Sequence, residues 1–294
     1  MILKEYLRER KELVDARLAQ LLHTDVEPFE NLYKSMNYSL MAGGKRIRPI
    51  LLLAVIEALG KDAAAYIDIA CALECVHTYS LIHDDLPAMD DDDLRRGKAT
   101  NHVVFGEGMA ILAGDALLTF AFELMARQDQ VDPAKLARII AVFAQAAGPA
   151  GMVGGQAFDL ESEGNMAIGI DGLKLLHKSK TGVIFQAAID MAAILGDATE
   201  AEQQALDAYA LNLGLTFQIT DDILDFVGDE KTLGKPVGSD EKNGKATYVT
   251  IFSLDEARRL ARQSAEAAIE ALAPFGEKGK ILTDLVSYLL VRAN

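Results

Sequence analysis

What most restricts this chain is its punctuation. Apolar residues recur at three- and four-residue steps through most of its 294 residues, and its seven prolines fall mostly between those runs. That period puts side chains on one face of an α-helix. Proline starts or ends helices because it lacks an N–H and crowds the preceding turn. The long runs are filled with Ala, Leu, Glu, Lys and Gln, which are good helix formers, and no alternating strand pattern competes with them. Helices are expected over about 2–21, 29–41, 47–59, 62–85, 107–127, 133–147, 150–162, 171–195, 199–226, 254–273 and 278–292, with ends good to a few residues. The expected architecture is all-α, a single-domain multi-helix bundle over residues 1–294.

Composition then excludes several functions. The formal net charge is −15, which disfavours nucleic acid and anionic membrane surfaces. Hydrophobic residues make up 50% and charged residues 25%, so the chain can bury a large core and disorder is not expected. Cys71 and Cys75 are the two cysteines. They lie one helical turn apart and read as buried core thiols suited to a reducing cytoplasm, because no second pair completes a zinc site. The N-terminal residues carry charges at helical spacing, unlike a signal peptide. No unbroken run of about 18 apolar residues is present, so no membrane span is expected.

The chemistry is concentrated in two acidic clusters. One is Asp84-Asp85-Leu86-Pro87-Ala88-Met89-Asp90-Asp91-Asp92-Asp93, the other Asp221-Asp222-Ile223-Leu224-Asp225. Asp221 and Asp225 share a helix face. The stripe Leu206, Ala210, Leu213, Phe217 runs into Asp221, so these carboxylates are expected to point inward. Ala70, Leu73, His77 and Ser80 or Leu81 lead to Asp84 in the same way. Asp84 and Asp90 would lie about 240° apart on an ideal helix. Pro87 breaks that helix, and a bulge there is expected to bring Asp90 round. A lone acidic run is usually a solvated face. Two runs that each continue a core stripe call instead for cations, and all-oxygen sites of this kind suit Mg²⁺ shared with substrate phosphates.

Basic groups supply the complement. Gly43-Gly44-Lys45-Arg46-Ile47-Arg48-Pro49 places three cations at a glycine-to-helix junction, Arg95-Arg96 follows the first acidic cluster, and Lys180-Thr181-Gly182 lies within a helix. Together they suggest two phosphate pockets, one using metal and one using arginine and lysine alone. The stretch from Val227 to Thr247 is long, glycine-rich and non-helical. It reads either as a solvated connection or as a lid carrying Lys235 and Lys245.

With these motifs in hand, the chain resembles the short-chain trans-isoprenyl diphosphate synthases, most closely the bacterial farnesyl diphosphate synthases. The resemblance runs from Gly43-Gly44-Lys45-Arg46-Ile47-Arg48-Pro49 to the last helix. It implies the type I isoprenoid synthase fold around a central cavity, a cytoplasmic homodimer, and three Mg²⁺ per active site. By the same resemblance, Asp84, Asp90 and Asp221 hold metal, with Asp85, Asp222 and Asp225 in support. Lys45, Arg48, His77 and Arg96 bind isopentenyl diphosphate, and Arg95, Lys180, Lys235 and Lys245 surround the allylic diphosphate. Thr181 and Gln218 lie beside the developing allylic cation. Val249 stands where many relatives have proline, which would loosen the end of the lid.

The activity so implied is ionisation of an allylic diphosphate, attack by the double bond of isopentenyl diphosphate, and proton loss to the released diphosphate. Tyr79 lies five residues before Asp84, about 7.5 Å down the helix, where an aromatic ring would stop the growing tail; by the resemblance, a bulky aromatic at this position implies a fifteen-carbon product. Residue by residue, a plain core tyrosine fits as well. The alternatives are a geranylgeranyl diphosphate synthase and a class I terpene cyclase. The cyclase usually carries an Asn/Ser/Glu motif where this chain has Asp221 to Asp225.

Overall fold

The computed structural model describes residues 2–24, 26–162, 169–227 and 247–292, and it is all-α apart from one two-stranded ribbon among them. The first helices are α1 (Leu3–Leu21), α2 (Glu30–Leu40) and α3 (Ile47–Ala58). A 3₁₀ turn at Ala63–Tyr66 leads into α4 (Ile67–Asp84), and the ribbon β1 (Leu94–Arg95) and β2 (Lys98–Ala99) follows. Then come α5 (Asn101–Phe105), α6 (Glu107–Ala126), α7 (Pro133–Ala147), α8 (Met152–Ser162) and α9 (Gly169–His177). A π-turn at Lys178–Gly182 joins α9 to α10 (Val183–Gly196). The chain closes with α11 (Glu200–Val227), α12 (Tyr248–Ile251), α13 (Leu254–Ala271), a 3₁₀ stretch at Ala273–Gly279, and α14 (Lys280–Arg292).

Helix ends follow local chemistry. Asp132 caps α7 by accepting from the N–H groups of Ala134 (3.0 Å) and Lys135 (3.2 Å), with Pro133 in the first turn. At the start of α11, Thr199 and Glu202 form a reciprocal capping box. These ends match the periodicity. The expected 62–85 and 171–195 helices are each interrupted, and the ribbon, α5 and α12 were not anticipated.

The chain divides into two compact units. One is Met1–Leu53 with Asp62–Leu136, the other Ala54–Lys61 with Ala137–Asn294. In the first, α4 is the central rod, and Ile69 to Val76 are all buried. It packs on α6, whose buried residues include Ala110, Ala113, Gly114 and Ala121, small residues that let helix backbones approach. Arg17 on α1 ties to Asp68 on α4 through two bonds of 2.6 and 2.9 Å. In the second unit, α11 packs on α13. There α13 buries Ala257, Ala261, Ser264, Ala265 and Ala268 at helical steps, an amphipathic stripe of small residues.

α6 corrects one expectation. Its mean hydropathy of 1.7 over a helix of 20 residues meets the requirement for crossing a membrane by length and composition, although no unbroken apolar run announces it. Only 39% of that window is buried, and Ile111 and Leu112 are 44% and 55% exposed. The stretch Pro133–Ser162 also qualifies, at 1.5, but it comprises α7 and α8 with a turn between them.

Candidate active site

In the first unit, α4 delivers its stripe as expected. Ala70 and Leu73 are fully buried, and His77, Ser80, Leu81 and Asp84 are half-buried. The helix then stops; it does not bulge and continue. The N–H of Met89 donates to the Leu86 carbonyl (2.8 Å), and that of Asp91, at φ 54°, donates to the same carbonyl (3.2 Å). The tight turn places the Asp90 N–H 2.9 Å from the Asp84 carbonyl oxygen. The two aspartates expected to share an ion are thus joined backbone to backbone.

The ribbon presents Arg95 and Arg96. Its register pairs Leu94 with Ala99 and Arg95 with Lys98, leaving Arg96 and Gly97 as a two-residue turn with φ 55° and 74°. Positive φ at both positions is the type I′ geometry that matches strand twist. Arg95 donates through Nε to Asp85 Oδ1 (2.6 Å), and its Nη2 is 2.5 Å from the same oxygen. Asp85 therefore holds an arginine. Burial, opposed by Arg95, raises its pKa. A cavity of about 30 Å³, room for roughly one water, lies behind this pair and is lined in part by Tyr38, Thr78 and Ile82. Asn101, buried at the ribbon's exit, bonds to Ser35 and Ser39 and anchors α2 there.

The glycine-to-helix junction separates its three cations. Arg46, at φ 54° and 2% exposed, turns inward. It reaches Asp15 (2.8 Å), Glu74 (2.6 Å) and the Leu40 carbonyl (2.6 Å), so it is a fastener for α1, α2 and α4. Lys45 stays exposed and Arg48 half-buried. Arg96 Nη1 donates to the Gly43 carbonyl, and a Cβ on Gly44 would sit 2.6 Å from that same nitrogen. Gly44 is thus required by space as well as by its φ of 125°.

His77 lies in the field of these arginines. Burial first, then Arg48, Arg96, Arg95 and Arg46, hold its pKa well below the ordinary histidine value, so the imidazole is neutral. Burial, with Arg96 adding to it, lowers Arg48 to about 10. Glu74 is the carboxylate that opposes this for Arg46, Arg48 and Arg96.

In the second unit, Leu206, Ala210 and Leu213 are buried, and the stripe ends at half-buried Phe217 and Asp221. Gln218, Asp222 and Asp225 are 8%, 6% and 3% exposed. Asp222 Oδ2 accepts from the Tyr248 N–H (2.7 Å), and Oδ1 is 3.9 Å from His177 Nε2. Asp222 thus secures the first turn of α12. Val249 is buried in a cluster with Leu173, Ile219 and Ile223.

Lys180 and Thr181 lie in the π-turn, a distortion often found at functional sites. Lys180 Nζ is 2.5 Å from Asp159 Oδ2 on α8. A Cβ on Gly155 would sit 2.4 Å from the Lys180 backbone nitrogen, so glycine lets α8 lie against the turn. Asp159, Gly155, Glu74 and Asn101 were not singled out from sequence. The available signals were an acid inside an apolar run for Glu74 and paired glycines within a helix for Gly155. Lys235 and Lys245 lie outside the described residues.

Among the described residues no three His, Cys, Asp or Glu side chains converge to hold an ion by themselves. Each motif contributes paired carboxylates, a donor set that fits a hard cation completing its shell with water and phosphate.

Comparison with known proteins follows this geometry. The sequence profile of the family described as polyprenyl synthetase matches residues 29–285. The chain is 51% identical over 267 residues to a farnesyl diphosphate synthase of Geobacillus stearothermophilus, covering 90% of this chain and 89% of that one. It is 45% identical over 290 residues to a geranylgeranyl diphosphate synthase of Cyanophora paradoxa, covering 98% and 96%. An apo crystal structure of an FPP/GFPP synthase from Zymomonas mobilis superposes with a TM-score of 0.88 at 35% identity, covering 98% of each chain.

Proposed function

This chain belongs to the polyprenyl synthetase family, and on that premise we propose that it condenses isopentenyl diphosphate with dimethylallyl and geranyl diphosphates to farnesyl diphosphate. The observation that carries the reading is that α4 and α11 each run a buried apolar stripe into half-buried aspartates. Such a junction suits a substrate with a hydrocarbon tail and a diphosphate head.

Asp84, Asp90 and Asp221 would hold Mg²⁺, up to three ions per site, with Asp85, Asp222 and Asp225 in support. Bound there, the metal neutralises charge developing on the leaving diphosphate. Lys180 and Arg95, with Lys235 and Lys245, add positive charge to the same group as the allylic C–O bond breaks and its electron pair leaves with the diphosphate. Thr181 and Gln218 present polar groups to the allylic cation, and the apolar stripes keep water from it. Lys45, Arg48, Arg96 and neutral His77 hold the diphosphate of isopentenyl diphosphate, whose double bond attacks the cation. The proton then lost goes to the released diphosphate.

The reading of a fifteen-carbon product is supported by Tyr79, which is 6% exposed on α4 five residues before Asp84, where a bulky ring would stop a longer tail. The profile match spans residues of both compact units, which supports a single polyprenyl synthetase domain. The exposed apolar face of α6 pairs with a second copy in a homodimer. Two free, buried cysteines suit a reducing cytoplasm.

The test is incubation with geranyl and isopentenyl diphosphates and Mg²⁺, followed by chromatography. Farnesyl diphosphate is expected, and chelation of the metal abolishes it. A hydrocarbon product would mean a cyclase, and no product would reject prenyl transfer.

A further inference from the structure

Gly114 stands inside α6 without any need for unusual backbone angles, since it has no positive φ. Glycine in a helix interior is destabilising relative to alanine, so its value here must be space. What fills that space is His83. A Cβ on Gly114 would lie 2.2 Å from His83 Nε2 and 2.5 Å from Cδ2, far inside van der Waals contact.

The imidazole is held on two further sides. Its Nε2 is 3.0 Å from the Ile111 carbonyl oxygen on α6. A carbonyl only accepts, so this bond puts the ring proton on Nε2. Its face meets Tyr79, one turn earlier on α4, edge to face with centroids 5.4 Å apart and planes at 89°. Asp115, next to Gly114, lies 3.9 Å from the same Nε2. The Tyr79 ring therefore leans on an imidazole, and the imidazole leans on a slot in the neighbouring helix.

We infer that Gly114 and His83 are positioning residues for product length: Gly114 makes the slot, and His83 fills it and fixes the Tyr79 ring across the growing chain. This rests on the reading of Tyr79 as the stop. Alanine at position 114 evicts the imidazole and leaves Tyr79 without its lateral support.

The experiment is product analysis with geranyl and isopentenyl diphosphates for Tyr79→Ala, His83→Ala, Gly114→Ala and the double variant His83→Ala/Gly114→Ala, in which the slot is cleared before it is filled. The double variant carries the test if Gly114→Ala is insoluble. Each is expected to raise the ratio of twenty- to fifteen-carbon product, by about threefold to tenfold for the positioning variants, as loss of one ring contact implies. Lengthening by Tyr79→Ala alone, with the other variants slower but unchanged in ratio, overturns the inference and leaves the stop intact. An unchanged ratio in Tyr79→Ala removes the stop, and the inference falls with it.

Discussion

Glu74 sits in the most buried stretch of α4, between Leu73 and Cys75, and is 2% exposed. Its carboxylate lies 2.6 Å from Arg46, which is equally buried. Breaking a buried pair costs about 3–5 kcal/mol when the remaining charge is left alone; here Arg46 keeps Asp15 at 2.8 Å, which places the loss at the low end. Glu74→Gln is therefore expected to lower the free energy of unfolding by about 2–3 kcal/mol. A change below about 1 kcal/mol, the range of a surface pair, would show the pair to be unimportant. Asp190 makes a pH-dependent case. Burial first, then Asp207, raises it from 3.8 to about 6, against a 2.8 Å bond from Gln186. The folded state then binds more protons than the unfolded chain between those values. Stability falls as pH rises through that window and stays reduced above it. Asp190→Asn keeps the acceptor and removes the charge. It is expected to raise stability on the order of 1 kcal/mol at about pH 7.5, after allowing for solvent screening, and to change little near pH 4. Melting curves at both pH values check the sign. Neither residue's environment was legible in the sequence, because the burial of both, and the Arg46 and Asp207 charges that act on them, come from other parts of the chain.

At the scale of elements, the helices were legible because a 3.6-residue period is a local property, and capping signals such as Asp132-Pro133 lie beside the ends they set. The departures are local shapes that serve the site. The end of α4 turns the chain so that Asp90 returns to Asp84, by a tight turn after the break that Pro87 was expected to make. The ribbon depends on Arg96 accepting a left-handed angle, for which an arginine side chain gives little warning. The π-turn hides within an unbroken helical pattern, and its partner Gly155 explains how it is kept. Alanine at 155 would press on backbone atoms of Ser179 and Lys180, at 2.7 and 2.4 Å, which cannot swing aside as a side chain can. Gly155→Ala is expected to cost about 1–3 kcal/mol of stability, and to lower turnover more than substrate affinity by displacing Lys180 from Asp159. Wild-type turnover in a stable Gly155→Ala protein would show that the turn does not position Lys180.

For the whole molecule, the question is what the exposed apolar side chains of α5 and α6 meet. Ile111 and Leu112 on α6, and Val103 and Val104 on α5, are all more than 40% exposed, and such a patch marks an interaction surface. If α6 forms the homodimer face proposed above, Leu112→Asp is expected to halve the mass seen by sedimentation; an unchanged dimer mass would reject α6 as the interface, and a wild-type monomer would reject the homodimer. The sequence by itself determined the helical class, the two acidic motifs that end apolar stripes, and the residue types able to hold diphosphate. Period and composition act over a few residues, so one chain states them. Tertiary structure alone decided which cation of Lys45, Arg46 and Arg48 turns into the core, which acid holds Arg95, and which glycine makes room for His83. Those outcomes depend on which distant groups arrive within hydrogen-bonding or van der Waals reach, and sequence spacing carries no measure of that.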